Sequence, residues 1–256
     1  MKYWTVIQEH LGLKAEQIDS CNEVIWEKQF NVDRSSFLEN AKHIHSEVNV
    51  YTDGSKMSEN IGAAFSLYEH NKLKTEQKFK LPNHCTVFQA EIKAVLEAAR
   101  YLSANNEYKY IKFFIDSQAA ILALDNHKIT STLVKDAKTM LNQAAVERRI
   151  TLSWTRAHVG TEGNERADQA AKEGGEVGVQ GMIATPITEL KEKIKKYFYT
   201  EWELRWSKYK KARMAKLFYP KPDSNQAKYV LKLGRIELSR FLRLISGHNG
   251  LFYFKS

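Results

Sequence analysis

Asp53, Glu91, Asp116 and Asp168, together with His158, are the side chains of this chain whose types and surroundings suit chemistry. Taken singly, each has an ordinary explanation. Asp53 can be turn material before Gly54-Ser55, Asp116 or Ser117 can cap a helix, and His158 can be a surface histidine on a glycine-flanked loop. Together, four acids on the ends of secondary-structure elements suggest a metal site. Hard oxygen donors of this kind suit Mg²⁺ or Mn²⁺. Their mutual repulsion without metal predicts raised, coupled pKa values.

The elements that must position these acids are readable from periodicity. Val48 to Thr52 alternates as a strand, with Asp53-Gly54-Ser55 as a turn at its end. Ile61 to Glu69 and Lys72 to Leu81 read as two more strands joined through His70-Asn71, completing an antiparallel meander that Pro82-Asn83 stops. Thr86-Val87-Phe88-Gln89 has the form of a capping box, and Ile92, Val95, Leu96, Ala99 and Leu102 continue at helical spacing. Glu91 lies at the edge of that stripe and leans towards the sheet, where a carboxylate needs a cation or hydrogen-bond donors. Tyr110 to Ile115 is almost continuously apolar, as in a strand covered on both faces, and Asp116-Ser117 ends it before a helix. Open α/β sheets place their chemistry at that edge. A helix from Ser131 or Thr132 to about Arg148 and a strand from Ile150 to Trp154 come next. After the loop around His158, Asn164 is the expected cap of a last helix whose Ala167, Ala170 and Ala171 face the sheet, turning Asp168 inward.

The chain has 256 residues and a net charge of +9, unevenly spread. Residues 177–256 hold 17 Lys+Arg against 6 Asp+Glu, whereas residues 1–176 hold 22 against 24. A polyanionic partner and a merely solubilising surface both account for that asymmetry. No stretch is apolar enough to span a bilayer and the first residues lack a secretory layout, so an intracellular protein without membrane contact is expected, nucleus or cytoplasm being open. Cys21 and Cys85 are too few for a disulfide framework. Residues 1–45 read as a packing or linker segment, and residues 186–256 as a basic helical extension. There Leu190, Ile194, Tyr197, Phe198, Trp202 and Trp206 form a stripe expected to be a packing face, Pro220 and Pro222 interrupt the chain, and Val230 to Ile245 resumes as helix.

Asp53-Gly-Ser, Gln89-Ala-Glu91, Phe114-Ile-Asp116-Ser, His158-Val-Gly and Gly163-Asn-Glu-Arg-Ala-Asp168 resemble the ribonuclease H type 1 domain, over residues 46–176. Gln89-Ala-Glu91 and the segment from Ser239 through His248 are most similar to the ribonuclease H region of non-LTR retrotransposon polyproteins. The resemblance implies an α/β ribonuclease H-like fold with a mixed five-stranded sheet and flanking helices. It implies a metal-dependent endonuclease that hydrolyses the RNA strand of RNA–DNA hybrids to 5′-phosphate and 3′-hydroxyl ends. Two Mg²⁺ ions, replaceable by Mn²⁺, would be held by Asp53, Glu91, Asp116 and Asp168, with His158 assisting proton transfer or product release. Gly54, Ser55, Gln89 and Asn164 would be weaker substrate contacts, and Arg166 would touch phosphate or pair with Glu162. A mobile-element origin, a reverse transcriptase portion as partner and a monomeric state are further implications. Val87-Phe88 departs from the small polar residues of cellular members. Two other readings remain: a catalytically idle nucleic-acid-binding remnant, and a DNA strand-transfer enzyme of the same fold.

Overall fold

A computed structural model describes residues 8–9, 11–37, 46–105, 107–156, 161–210 and 213–247. Residues 12–190 form one compact unit, and residues 1–11 with 191–256 form a second. In the first unit the chain runs β1 (Ile18–Asp19), β2 (Glu23–Val24), β3 (Asn31–Asp33), β4 (Val48–Met57), β5 (Asn60–Glu69), β6 (Lys72–Leu81) and α1 (Val87–Ala104). It continues through β7 (Tyr110–Ile115), α2 (Gln118–Asp125), β8 (Lys128–Ile129), α3 (Thr132–Ala144), β9 (Arg149–Trp154), α4 (Glu162–Val177), β10 (Val179–Gln180) and β11 (Thr185–Pro186).

The main sheet has the order β10-β6-β5-β4-β7-β9-β3. Its five central strands are the expected mixed sheet, an antiparallel β4-β5-β6 meander continued by parallel β7 and β9. Parallel edge strands β10 and β3 extend it to seven. His70 and Asn71, both at positive φ (49° and 61°), make the two-residue turn between paired Glu69 and Lys72. Such turns match the twist of the strands they join.

One sheet face, including Val50, Phe65, Phe113 and Leu152, packs with Ile92 and Leu96 of α1 in the main hydrophobic core, to which α2 and α3 also contribute. Helix α4 packs on β4, β5 and β6. Small residues set that approach: Ala64 meets Ala170 and Ala171, and a Cβ at Gly62 would overlap the Ala171 carbonyl oxygen and the Gly175 nitrogen.

Several expected boundaries shift. Strand β4 runs through Asp53-Gly54-Ser55 to Met57, and the turn falls at Ser58, which has φ 55°. Helix α3 stops at Ala144 rather than near Arg148, since Glu147 turns to φ 61°. Helix α4 begins at Glu162 after the cap position Thr161, so Asn164 lies inside the first turn and is not the cap. Residues 12–37 contribute β3 to the sheet, while β1 pairs with β11 and β2 with β8. Arg34 reinforces this by pairing with Asp125 of α2 at 2.5 Å.

Helix α5 (Ile187–Lys208) leads into the second unit, where α6 (Arg213–Phe218), α7 (Ser224–Val230) and α8 (Arg235–Ser246) are described. The expected helix from Val230 to Ile245 is broken between α7 and α8, and Gly234 occupies the cap position of α8. The aromatic stripe of α5 is only partly covered. Trp206 donates to the Tyr219 carbonyl at 2.8 Å, yet Phe198 and Trp202 remain 43% and 47% exposed. Among the described residues no helix is long and apolar enough to cross a membrane.

Candidate active site

Strands β4 and β7 pair as far as Thr52 and Ile115. Asp53 and Asp116 are the next residues on each strand, so both acids stand where two parallel strands part. Asp53 stays in register with Ala64 of β5, which holds its backbone inside the sheet and not in a loop. Capping of α2 falls to Ser117 and not to Asp116, because the Ser117 side chain accepts from the Ala120 N–H. The Trp154 indole N–H donates to the Asp116 carbonyl at 2.9 Å and fixes that strand end.

Glu91 arrives from the other side of the same opening, just past the first turn of α1. The capping box is present as expected: Thr86 accepts from the Gln89 N–H, and the Gln89 side chain accepts from the Thr86 N–H, both at 3.2 Å. Gly54 lets the helix close on β4, since a Cβ there would overlap the Glu91 backbone nitrogen.

Carboxylate oxygens of Asp53, Glu91 and Asp116 all lie within 4.8 Å of one another. Glu91 is 5% and Asp53 6% exposed. Burial, then the negative charges of Asp116 and Asp168, push Asp53 up to about 7, against smaller opposing effects of Lys172 and the Gly54 N–H. Burial, then the charges of Asp53 and Asp116 and a hydrogen bond shared with Asp116, push Glu91 well above the usual carboxylate range. One buried Glu91 oxygen, Oε2, has no hydrogen-bond partner among the described residues. A buried acceptor beside two further acids is where a hard divalent cation fits, because it satisfies the acceptor and removes the repulsion together.

Asp168 is beside this trio and not inside it. Its charge is felt by Asp53, but Lys172, one turn further along α4, binds its carboxylate at 2.7 Å. The sequence signal for Lys172 is its i, i+4 spacing from Asp168, which a search for acids alone passes over. His158 lies outside the described residues. Gly54 packs against α1, and Ser55 sits partly exposed two positions beyond Asp53. Gln89 is placed differently from a substrate contact: it is 1% exposed and its amide nitrogen donates to Asp19 at 2.8 Å and to the Ala184 carbonyl at 3.1 Å. Asn164 is 4% exposed, with its Oδ1 unpartnered among the described residues. Arg166 does not pair with Glu162; it grips Glu76 of β6 through two bonds, at 2.5 and 3.0 Å.

The chain is similar to known proteins. Ribonuclease H of Haemophilus influenzae is 25% identical over 146 residues, which cover 52% of this chain and 92% of that relative. A solved structure of prototype foamy virus protease-reverse transcriptase is 22% identical with a TM-score of 0.45, over 54% of this chain and only 22% of that one. The RNase H family model matches residues 45–176. A match of that extent, running over the central sheet and all four acids, makes the chain a member of the RNase H family.

Proposed function

We propose that this chain is a divalent-metal-dependent endonuclease that hydrolyses the RNA strand of RNA–DNA hybrids, leaving 5′-phosphate and 3′-hydroxyl ends. The observation that carries the reading is the convergence of Asp53, Glu91 and Asp116 from β4, α1 and β7 within 4.8 Å, in a chain of the RNase H family. Asp53, Glu91 and Asp116 would hold metal, with Asp168 completing the set. Two Mg²⁺ ions, or Mn²⁺ in their place, would supply charge neutralisation at the scissile phosphate and acidify a water nucleophile.

The remaining chemistry belongs to the chain's own groups. The Gly54 N–H lies close to the carboxylates of Asp53 and Glu91 and favours their ionised, metal-binding forms. Trp154 holds Asp116 at the strand end through its carbonyl. Lys172 holds the Asp168 carboxylate in place. His158 is assigned to proton transfer or product release beside the leaving oxygen, a role that suits an imidazole. Ser55, partly exposed at this edge, is assigned as a substrate contact, with the Gly54 backbone and Asn164 as further ones. Gln89-Ala-Glu91 and the Ser239 to His248 segment support a mobile-element origin with a reverse transcriptase portion as partner.

The test is cleavage of an end-labelled RNA–DNA hybrid with Mg²⁺, alongside Asp116→Asn and matched duplex RNA and duplex DNA. Hybrid-specific cuts with 5′-phosphate ends, lost by at least about a hundredfold in Asp116→Asn, are expected. Binding of hybrid with no cuts in Mg²⁺ or Mn²⁺ would leave the idle remnant as the better account, and cuts in duplex DNA alone would favour strand transfer.

A further inference from the structure

The family match spans residues 45–176, yet segments on both sides of it meet at the helix that carries Glu91. Strand β1 precedes the match and β11 follows it, and the two form a parallel pair, Ile18 with Thr185 and Asp19 with Pro186. Asp19 is buried. Its carboxylate accepts from Ser131 Oγ at 2.8 Å, from Thr132 Oγ1 at 2.9 Å and from the Leu133 N–H at 3.3 Å, closing the start of α3. Its Oδ2 also accepts from Gln89 Nε2 at 2.8 Å. The second proton of that Nε2 goes to the carbonyl of Ala184, next to β11, and Gln89 Oε1 accepts from Thr86 N.

Every polar atom of the Gln89 amide is therefore committed, and two of its three bonds reach the flanking segments. This amide is two residues before Glu91 at the start of the same helix. A charge-assisted bond to a buried carboxylate is about twice as strong as a neutral one and fixes direction as well as distance. Among the described residues Glu91 Oε2 has no partner and two like charges lie beside it, so the bond it shares with Asp116 works against repulsion and its position depends also on the backbone that carries it.

We propose that Asp19 is a positioning residue for the metal site, acting through Gln89 to hold the start of α1 so that Glu91, just beyond the first turn, meets Asp53 and Asp116. The proposal rests on the assignment of those three acids as metal ligands. It makes the segment around Asp19, outside the family match, part of the working site.

Asp19→Asn separates the two duties of this carboxylate. The substituted side chain keeps one oxygen for Ser131, Thr132 and the Leu133 N–H, but sets an amide nitrogen against Gln89 Nε2, and Gln89 cannot turn over without losing Thr86. Titration calorimetry with Mn²⁺ on the full chain is the readout, with thermal melting beside it. Asp19→Asn is expected to weaken Mn²⁺ binding by about tenfold, as loss of a group that orients a metal ligand does. Ser131→Ala/Thr132→Ala, which removes the two hydroxyl bonds to Asp19 and the Ser131 cap of α3 but keeps the Gln89 bond, is expected to lower the melting temperature and leave Mn²⁺ affinity within about twofold of wild type. Gln89→Met supplies the same comparison if Asp19→Asn does not fold. Wild-type Mn²⁺ affinity in Asp19→Asn, or an equal loss in Ser131→Ala/Thr132→Ala, would overturn the proposal. A wild-type chain that binds Mn²⁺ without cutting hybrid sinks the nuclease reading and leaves these affinities to decide the role of Asp19.

Discussion

Three acids sharing one buried opening cannot all ionise cheaply, and this gives the protein a pH dependence with a definite sign. Burial, and then the charges of Asp116 and Asp168, raise Asp53 to about 7, and Glu91 is also raised, by burial first. Below about pH 4 these groups are protonated in both folded and unfolded chains and impose no penalty. Between about 4 and 7 the unfolded chain loses protons that the folded chain keeps, so their contribution to stability falls as pH rises and is gone above the folded value. In EDTA, wild type should therefore lose stability relative to Glu91→Gln as pH goes from 5 to 7.5. Mg²⁺ should restore wild type at pH 7.5 and do little at pH 5. Melting curves at the two pH values check this, and a wild type that tracks Glu91→Gln with and without Mg²⁺ would contradict it. The acids themselves are legible in the sequence because each stands in its own local phrase. The role of Gln89 is not, for the opposite reason: its partner Asp19 is 70 positions away, in an Ile18-Asp19-Ser20 run with no pattern of its own.

The meander, α1 and the β7-to-α2 unit can be read directly, since ten-residue alternations and an 18-residue amphipathic helix carry clear periods. Edge strands β3 and β10, of three and two residues, carry none and exist only through their pairing with β9 and β6. The small-residue face of α4 is also legible, and its consequence is testable. Helix α4 carries Asp168 and lies against β5 at Gly62, where a Cβ would overlap the backbone of both Ala171 and Gly175. Backbone cannot move aside as a side-chain tip can. Gly62→Ala should destabilise by about 3 kcal/mol, and should weaken Mn²⁺ binding by displacing Asp168 from Asp53. Melting and calorimetry on the same sample check both parts. An unchanged melting temperature would show that α4 does not depend on this close approach.

Beyond the family match the chain changes character, and the change is electrostatic. With 17 cations and 6 acids in residues 177–256, one-to-one pairing leaves at least 11 cations without an acid of that segment, however the helices are arranged. Cations in residues 12–190 are held differently: Lys28, Arg34, Lys78, Lys135, Arg166 and Lys172 all have carboxylate partners. Uncompensated positive charge of this size attracts phosphate backbones through counterion release, a term that depends on salt and not on sequence. Lys191, Lys195, Lys196, Lys208 and Lys210 are exposed, the first four of them on α5. Changing all five to Gln should leave kcat on the hybrid unaltered, because none lies near the carboxylates in sequence or serves the sheet. KM should rise, and the slope of log KM against log salt should shallow by about 0.9 for each lysine that meets a duplex phosphate. Hybrid cleavage measured from low to physiological salt resolves the two parameters. A slope equal to that of wild type would mean that these lysines only keep the protein in solution. A kcat loss at constant slope would mean that α5 supports the fold of the site instead of gathering its substrate.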